Sequence, residues 1–423
     1  MSNLGAKIQT NNKKIVSLHK KVEDMKYLLT VLCGIVFFSS CKDDNEDNVE
    51  PRFDRTVIFY ISGDNSLSDD VEDNVNDIIA GTAGIGENNV AVLLVDNNNT
   101  KPKTMVVKNG AIESQTIFDN DFYMTSPNRM KTLLTSVMNE NTAKSYGFVF
   151  WGHCTGWFID NDSISTRAYG PDNNGGASMS GDKWINFPTL AMVFESLPSK
   201  FDFIVGDCCL LQCAEVAFEM RNSTKYIIGS PSETPSTGIP YKEIMPYMYS
   251  TATDYCSQMA DIMNKHVLYD YSGKKVQIPT SVINTAAMDN LASVTKKIIM
   301  GENLPYPINT KSVIYYYKWI GKNGLRQPIM FDMQNVFSNN TSDNVYREWK
   351  QAFDAAVVYR KPSERWMTSY FWIDDFEVTE ENYGGMSMFF PLDKYEDMPS
   401  FDPNNRIKNM QWYKAAGIDL YTK

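Results

Sequence analysis

The chain has 423 residues, 43% of them hydrophobic, and carries 51 acidic against 40 basic residues for a formal net charge of −11. That much apolar material excludes general disorder, and the length exceeds what one simple core usually organises, so one large domain with an appendage, or two domains, is expected. The acidic balance, with no basic cluster in the body of the sequence, argues against nucleic acid as a partner, because like charge repels a phosphate backbone.

The first element in chain order is an address. Met25 to Cys41 reads MKYLLTVLCGIVFFSSC, a positive start, an apolar run and small residues before a cysteine. The run falls short of the roughly 20 residues a spanning helix needs, so a signal peptide starting at Met25 is expected. Phe38 to Cys41 resembles a bacterial lipobox, which implies lipidation of Cys41 and export to the outer membrane, facing the periplasm or the cell surface. Residues 1–41 are thus read as an upstream extension plus signal, and residues 42–54, acidic and poor in apolar groups, as a solvated tether.

Residues 55–275 alternate strand and helix. RTVIFYIS (Arg55 to Ser62) and NVAVLLVD (Asn89 to Asp96) read as strands buried on both faces. Between them, Leu67, Val71, Val75 and Ile78 recur at helical spacing from Ser66 to Gly81. Ser126-Pro127 opens a helix through Leu133 and Met138, YGFVFW (Tyr146 to Trp151) and FDFIVGD (around Phe203 to Val205) are further strands, and a helix runs from Phe187 to Leu197. Asp160 to Trp184 is rich in Asp, Asn, Gly and Ser and reads as an exposed loop. Residues 276–423 form a C-terminal portion mixing helix (Ala286 to Met300, Asn344 to Arg360) with short strands such as GGMSMFF. The fold class expected is α/β: a mainly parallel sheet between helical layers, with an α+β C-terminal portion.

Chemistry in such sheets gathers at the carboxyl edge of the strands. Two strands end in reactive groups there: FVFW is followed by Gly152 and His153, and FDFIVGD by Cys208 and Cys209. The chain has only three histidines, His19, His153 and His266, and seven cysteines, Cys33, Cys41, Cys154, Cys208, Cys209, Cys213 and Cys256, whose spacing gives no disulfide framework. A thiol nucleophile needs a lowered pKa or a base, and Cys209 falls where a helix is expected to begin, which would favour its thiolate. His153 could protonate a leaving amine.

At this point the sequence resembles the clostripain-like cysteine peptidases, relatives of the caspases and gingipains. The resemblance rests on WGHCTGW around His153, Asp207-Cys208-Cys209-Leu210-Leu211 followed by Glu215-Val216-Ala217, YISGDNSLSDDV upstream, and GSPSETPSTGIPY and GGMSMFFP with Trp412 downstream. It implies a caspase-like α/β/α sandwich, His153 as catalytic histidine, Cys209 as nucleophile, and Asp207 as the carboxylate of a pocket for Lys or Arg side chains. The other reading of Asp207 is a helix N-cap. Cys208 stands where a small residue is usual and reads as a small hydrophobe against the sheet. Cys154 stands where the family has Gly; its backbone N–H is the expected oxyanion donor, but if that Gly supplies an unusual φ, Cys154 brings strain. The resemblance also implies self-cleavage in the loop after His153, after Arg167 or secondarily Lys183. It implies no firm cofactor; calcium enters because some relatives depend on it, although no acidic cluster has a recognisable loop spacing.

The function expected is a lipid-anchored cysteine endopeptidase cutting protein or peptide substrates after Lys or Arg. The alternative is a catalytically weak surface lipoprotein that binds peptides or host proteins on a peptidase fold, motivated by Cys154. A zinc site from Cys208, Cys209 and Cys213 ranks last, since its spacing does not match the usual paired pattern.

Overall fold

The computed structural model describes residues 50–158, 169–173, 183–270, 272–320, 324–369, 372–396, 398 and 402–421. Cys41 and Arg167 lie outside them. Residues 51–423 form one compact unit. None of the described helices is long and apolar enough to cross a membrane.

The described strands in chain order are β1 (Phe53–Gly63), β2 (Asn89–Asn97), β3 (Lys103–Lys108), β4 (Ala111–Ile117), β5 (Ala143–Trp151), β6 (Tyr169–Asp172), β7 (Lys183–Ile185), β8 (Phe201–Asp207), β9 (Thr224–Gly229), β10 (Val267–Tyr269), β11 (Lys275–Gln277), β12 (Thr280–Asn284), β13 (Tyr315–Ile320), β14 (Arg326–Asp332), β15 (Val357–Lys361), β16 (Arg365–Ser369), β17 (Trp372–Asp375) and β18 (Ser387–Met388). Nine of them make one sheet in the order β15-β12-β9-β8-β5-β1-β2-β3-β4. Its centre, from β9 to β2, is parallel. Antiparallel pairs extend both sides: β3 and β4 beyond β2, β12 and β15 beyond β9. Residues beyond 275 therefore help complete the sheet that carries the site.

The unbroken apolar runs are explained by two cores. Ile58 and Tyr60 of β1 face one core, while Val57, Phe59 and Ile61 face the other. Successive side chains of a strand point to opposite faces, so a strand covered on both sides must be apolar throughout. Helices α1 (Val71–Gly81), α5 (Tyr241–Met248) and α6 (Tyr255–Lys265) cover one face. Helices α2 (Pro127–Glu140), α3 (Phe187–Glu195) and α4 (Ala214–Glu219) cover the other, with most of the C-terminal apolar residues. Rings interlock there: Phe148 lies 4.7 Å from Phe150, 4.9 Å from Phe194 and 5.2 Å from Phe201, centroid to centroid. Truncating the fully buried Phe148 to Ala would cost on the order of 3–5 kcal/mol.

Several expectations are corrected. The helix expected from Ser66 begins at Val71, after a 3₁₀ turn at Ser68–Asp70. The helix expected to reach Arg360 ends at Ala356, because the β-branched Val357 and Val358 open β15. The stretch Asp160 to Trp184, expected as exposed loop, contains the β6–β7 ribbon, in which Tyr169 and Asp172 are buried. Tyr169 is pinned from below: its hydroxyl donates to the Tyr60 carbonyl at 2.8 Å and to that of Trp151 at 3.0 Å. Long-range partners override the local turn-rich composition.

Candidate active site

The register of the central strands brings the candidate residues together. Trp151 of β5 pairs with Asp207 of β8. His153 lies two residues past the first and Cys209 two past the second, so equal steps beyond one rung of neighbouring parallel strands place both at the same edge. They line a single cleft of about 370 Å³, together with Asp207, Ser66, Asp70, Glu233 and Thr234. A much narrower space of about 10 Å³ shares Asp207 and Glu233 with it, so room for a long guest side chain lies in the larger cleft.

Gly152 makes the turn that delivers His153. Its φ is +144°, and a Cβ there would sit 2.9 Å from the Ser62 carbonyl oxygen of β1. His153 Nε2 lies 2.9 Å from Ser66 Oγ, and its carbonyl accepts from the Gly170 N–H at 2.9 Å. The indole of Trp184 flanks the ring at 6.4 Å. Burial lowers the imidazole pKa from its ordinary 6.5, which favours the neutral ring at neutral pH.

Cys209 sits in the turn after β8, not at a helix start. Helix α4 begins at Ala214, and Leu210 takes φ +59° to turn the chain. The expected lowering of the thiol pKa by helix backbone is therefore absent. Burial instead pushes it up to about 12, with Glu233 adding to the rise, while Thr234 opposes it. The Thr234 N–H donates to Sγ at 3.4 Å, and the thiol reaches the Thr234 carbonyl at 3.6 Å. Both shifts favour the uncharged forms, thiol and imidazole, at neutral pH.

Asp207 is the last residue of β8 and caps no helix; the N-cap of α4 is Cys213. Its Oδ2 accepts from the Ile239 N–H at 3.1 Å and from the Tyr241 hydroxyl at 2.7 Å. Gly238, at φ +75°, lets that loop lie so close: a Cβ would stand 1.9 Å from Asn74 Oδ1 and 3.0 Å from Asp207 Oδ2. Burial raises the carboxyl to about 6 against the lowering by both donors. Both bonds fall on Oδ2, so among the described residues Oδ1 is the acceptor left to a guest in the cleft.

Cys154 does not carry the strain anticipated for it. The left-handed positions around it are Gly152 and Gly156, whereas Cys154 keeps an ordinary φ, bridges to Tyr169 and buries its thiol in the core. Cys208 is buried against the same core. Cys208, Cys209 and Cys213 do not bring their sulfurs together as a metal-binding group. Ser66, Asp70, Glu233, Thr234 and Tyr241 were not singled out from sequence, although all five fall within the quoted motifs YISGDNSLSDDV and GSPSETPSTGIPY. The available signal was topological: each follows a parallel strand whose carboxyl end lies at the same edge.

A sandwich with a thiol and an imidazole at adjacent strand ends over one cleft is the architecture of a cysteine peptidase of the caspase type. The clostripain family model, Peptidase_C11, matches residues 59–385, and the chain belongs to that family of cysteine proteases. Among solved structures, the fold is similar to a secreted C11 cysteine protease from Bacteroides thetaiotaomicron in complex with an irreversible peptide inhibitor, at TM-score 0.68 and 23% identity over 86% of this chain and 99% of that one. It is equally similar to an inactive zymogen C11 protease from Parabacteroides distasonis, at TM-score 0.68 and 23% identity over 87% and 99%. A comparison with curated proteins finds no match.

Proposed function

We propose that this chain is an exported, lipid-anchored endopeptidase that cuts after Lys or Arg, with Cys209 as nucleophile and His153 as proton carrier. The observation that carries this reading is the make-up of the cleft: thiol and imidazole share it with Asp70, Asp207 and Glu233, and among the described residues no Lys or Arg lines it. A basic guest side chain would find a buried carboxylate and no repelling charge.

His153, neutral at rest, takes the Cys209 proton as sulfur attacks the scissile carbonyl carbon. The developing oxyanion is received by the Cys154 backbone N–H. Collapse breaks the C–N bond and the departing amine takes the proton from His153. Water, deprotonated by His153, then opens the thioester, releasing the acid and returning the proton to the thiol. Asp207 pairs with the basic side chain, and the same preference would let the chain cut itself after Arg167. Cys41 would carry the lipid anchor.

Fluorogenic peptides with Arg, Lys, Asp or Leu before the cleaved bond, offered to wild type and to Cys209→Ala, test this. Arg or Lys turnover that disappears in the variant is expected. Turnover of none of the four, or equal turnover of all, would refute the reading. Self-cleavage predicts two fragments whose junction follows Arg167 and which do not form in Cys209→Ala.

A further inference from the structure

Further along the same sheet edge lies a second, larger cavity that the proposed mechanism does not use. It holds about 830 Å³ and is lined by Lys265, Lys274, Lys275, Lys361 and Arg365, with Glu364 and Asp375 as its carboxylates. The chain as a whole is acidic, at −11, and no basic run in the sequence announces such a place. The fold gathers these cations from four separate segments: the end of α6, the start of β11 with the residue before it, the end of β15 and the start of β16.

Some of these charges are already spent. Lys265 pairs with Asp261, which also accepts from the Tyr359 hydroxyl at 3.3 Å. Arg365 is held by Asp270 at 2.8 Å and by Asp375 at 2.5 Å. Asp270 is saturated in turn, its Oδ1 accepting from the Ser272 N–H and hydroxyl at 2.8 and 2.6 Å and from the Lys274 N–H at 2.9 Å, which fixes the turn that carries Lys274. Lys274, Lys275 and Lys361 are exposed and make no ion pair among the described residues, and Lys361 acts on Asp261 from beyond ion-pair distance. Of the two lining carboxylates only Glu364 is left without an ion pair among those residues, so three uncommitted ammonium groups stand against one uncommitted carboxylate. An anion entering the cavity meets a net attraction that the rest of this acidic chain does not offer.

The cavity adjoins the active cleft. Lys361 ends β15 opposite Thr280, and the next residue, Ser281, pairs with Gly229 at the end of β9, so the lysine lies at the edge where β8 delivers Cys209. The narrow space beside Asp207 joins the two: Gln277 lines both it and the basic cavity, and Met367 lines both it and the cleft.

We infer that Lys274, Lys275 and Lys361 form a subsite for an acidic stretch of the polypeptide being cut. The occupant rests on the peptidase reading: a chain held in the cleft by its basic residue continues past the cleft, and this cavity lies along that edge. Cations spread over separate segments around so large a space suit several carboxylates along an extended chain, whereas a single small anion calls for donors converging on one point. Negative charge in the cleft and positive charge beside it then select a basic residue at the cut with acidic residues at a distance from it, and disfavour the reverse arrangement.

The test compares Arg peptides carrying a block of glutamates, before or after the cleaved bond, with the same peptides carrying glutamines. In one of the two placements the glutamate peptide should have the higher kcat/KM through a KM about tenfold lower, an advantage that shrinks with added salt. The combined substitution Lys274→Ala, Lys275→Ala and Lys361→Ala, all at exposed positions without ion pairs among the described residues, should bring the ratio of glutamate to glutamine peptide close to one. Binding of the fluorescein-labelled peptides to the full chain carrying Cys209→Ala, followed by anisotropy, should show the same tenfold preference and the same loss. This second readout needs no turnover, so a chain that cuts nothing sinks the peptidase reading while the subsite is still judged. Equal affinity for glutamate and glutamine peptides in both placements, or a preference that the triple variant keeps, would overturn the subsite. Dextran sulfate binding that the triple variant loses, with no preference for the glutamate peptide, would overturn its occupant.

Discussion

Two buried aspartates show how the same group serves different ends. Asp332 in the C-terminal portion and Asp207 at the cleft are both raised to about 6 by burial. Asp332 is saturated: it accepts from the Tyr316 hydroxyl at 2.5 Å and from the backbone N–H groups of Asn335, Gly384 and Gly385 at 2.8, 2.7 and 3.2 Å. It therefore knots the start of one helix to the glycine pair of the C-terminal motif. Asp207 holds two donors on one oxygen and turns its remaining capacity to a cleft. Asp96 completes the series: neither of its oxygens takes a well-formed hydrogen bond from the described residues. Burial alone does not mark function; unspent accepting capacity facing open space does.

The contrast can be broken by substitution. Asp332→Ala leaves four buried donors unpaired and should cost on the order of 4 kcal/mol in denaturant unfolding, with turnover per folded molecule unchanged. Turnover lost ahead of stability would give Asp332 a role at the site and erase the distinction. Asp207→Ala should do the reverse, lowering kcat/KM for Arg and Lys peptides by about 100-fold or more, consistent with loss of one partner of a buried charge pair. Iodoacetamide labelling of Cys209 should meanwhile change little; equal losses in both readouts would make Asp207 structural.

A smaller effect concerns pH. Asp207 is protonated below about 6 and ionised above it, so binding of a basic side chain should weaken as pH falls through 6. KM for an Arg peptide should rise there while a Leu peptide, however slow, shows no matching change. Both aspartates also hold protons in the folded chain that the unfolded chain has released. Their contribution to stability therefore falls as pH rises from about 4 to about 6, and is level above that. The smallest effect expected is that of Cys154→Gly. Since Cys154 already has an ordinary φ, restoring the family's glycine should not raise kcat/KM and should cost about 1 kcal/mol through backbone entropy. A gain in rate would show that the side chain does hinder the site.

The central parallel strands were legible because burial on both faces demands apolar runs such as NVAVLLVD, a local property of the chain. His153 and Cys209 were legible as residues just past such strands. The β3–β4 hairpin was also written locally, in Asn109-Gly110 with φ of 51° and 77°, yet it went unread because its second strand is exposed throughout and has no apolar pattern. Other features had no local signature. The β6–β7 ribbon looks like loop until Tyr169 is seen bonding to two other strands. The rise of the Cys209 pKa depends on what packs over the thiol, and the true start of α4 on the left-handed Leu210.

The amino-acid sequence by itself determined the family, the sandwich and the two residues carrying thiol and imidazole, because periodicity and short motifs are written along the chain. Only the tertiary structure decided that Cys154 is unstrained, that Asp207 is partly satisfied and faces a cleft, and that three aspartates from separate segments meet, one of them, Asp96, with no well-formed hydrogen bond from the described residues. Pairing, desolvation and the count of donors around a buried group are properties of neighbours, and neighbours are fixed only when the strands find their register.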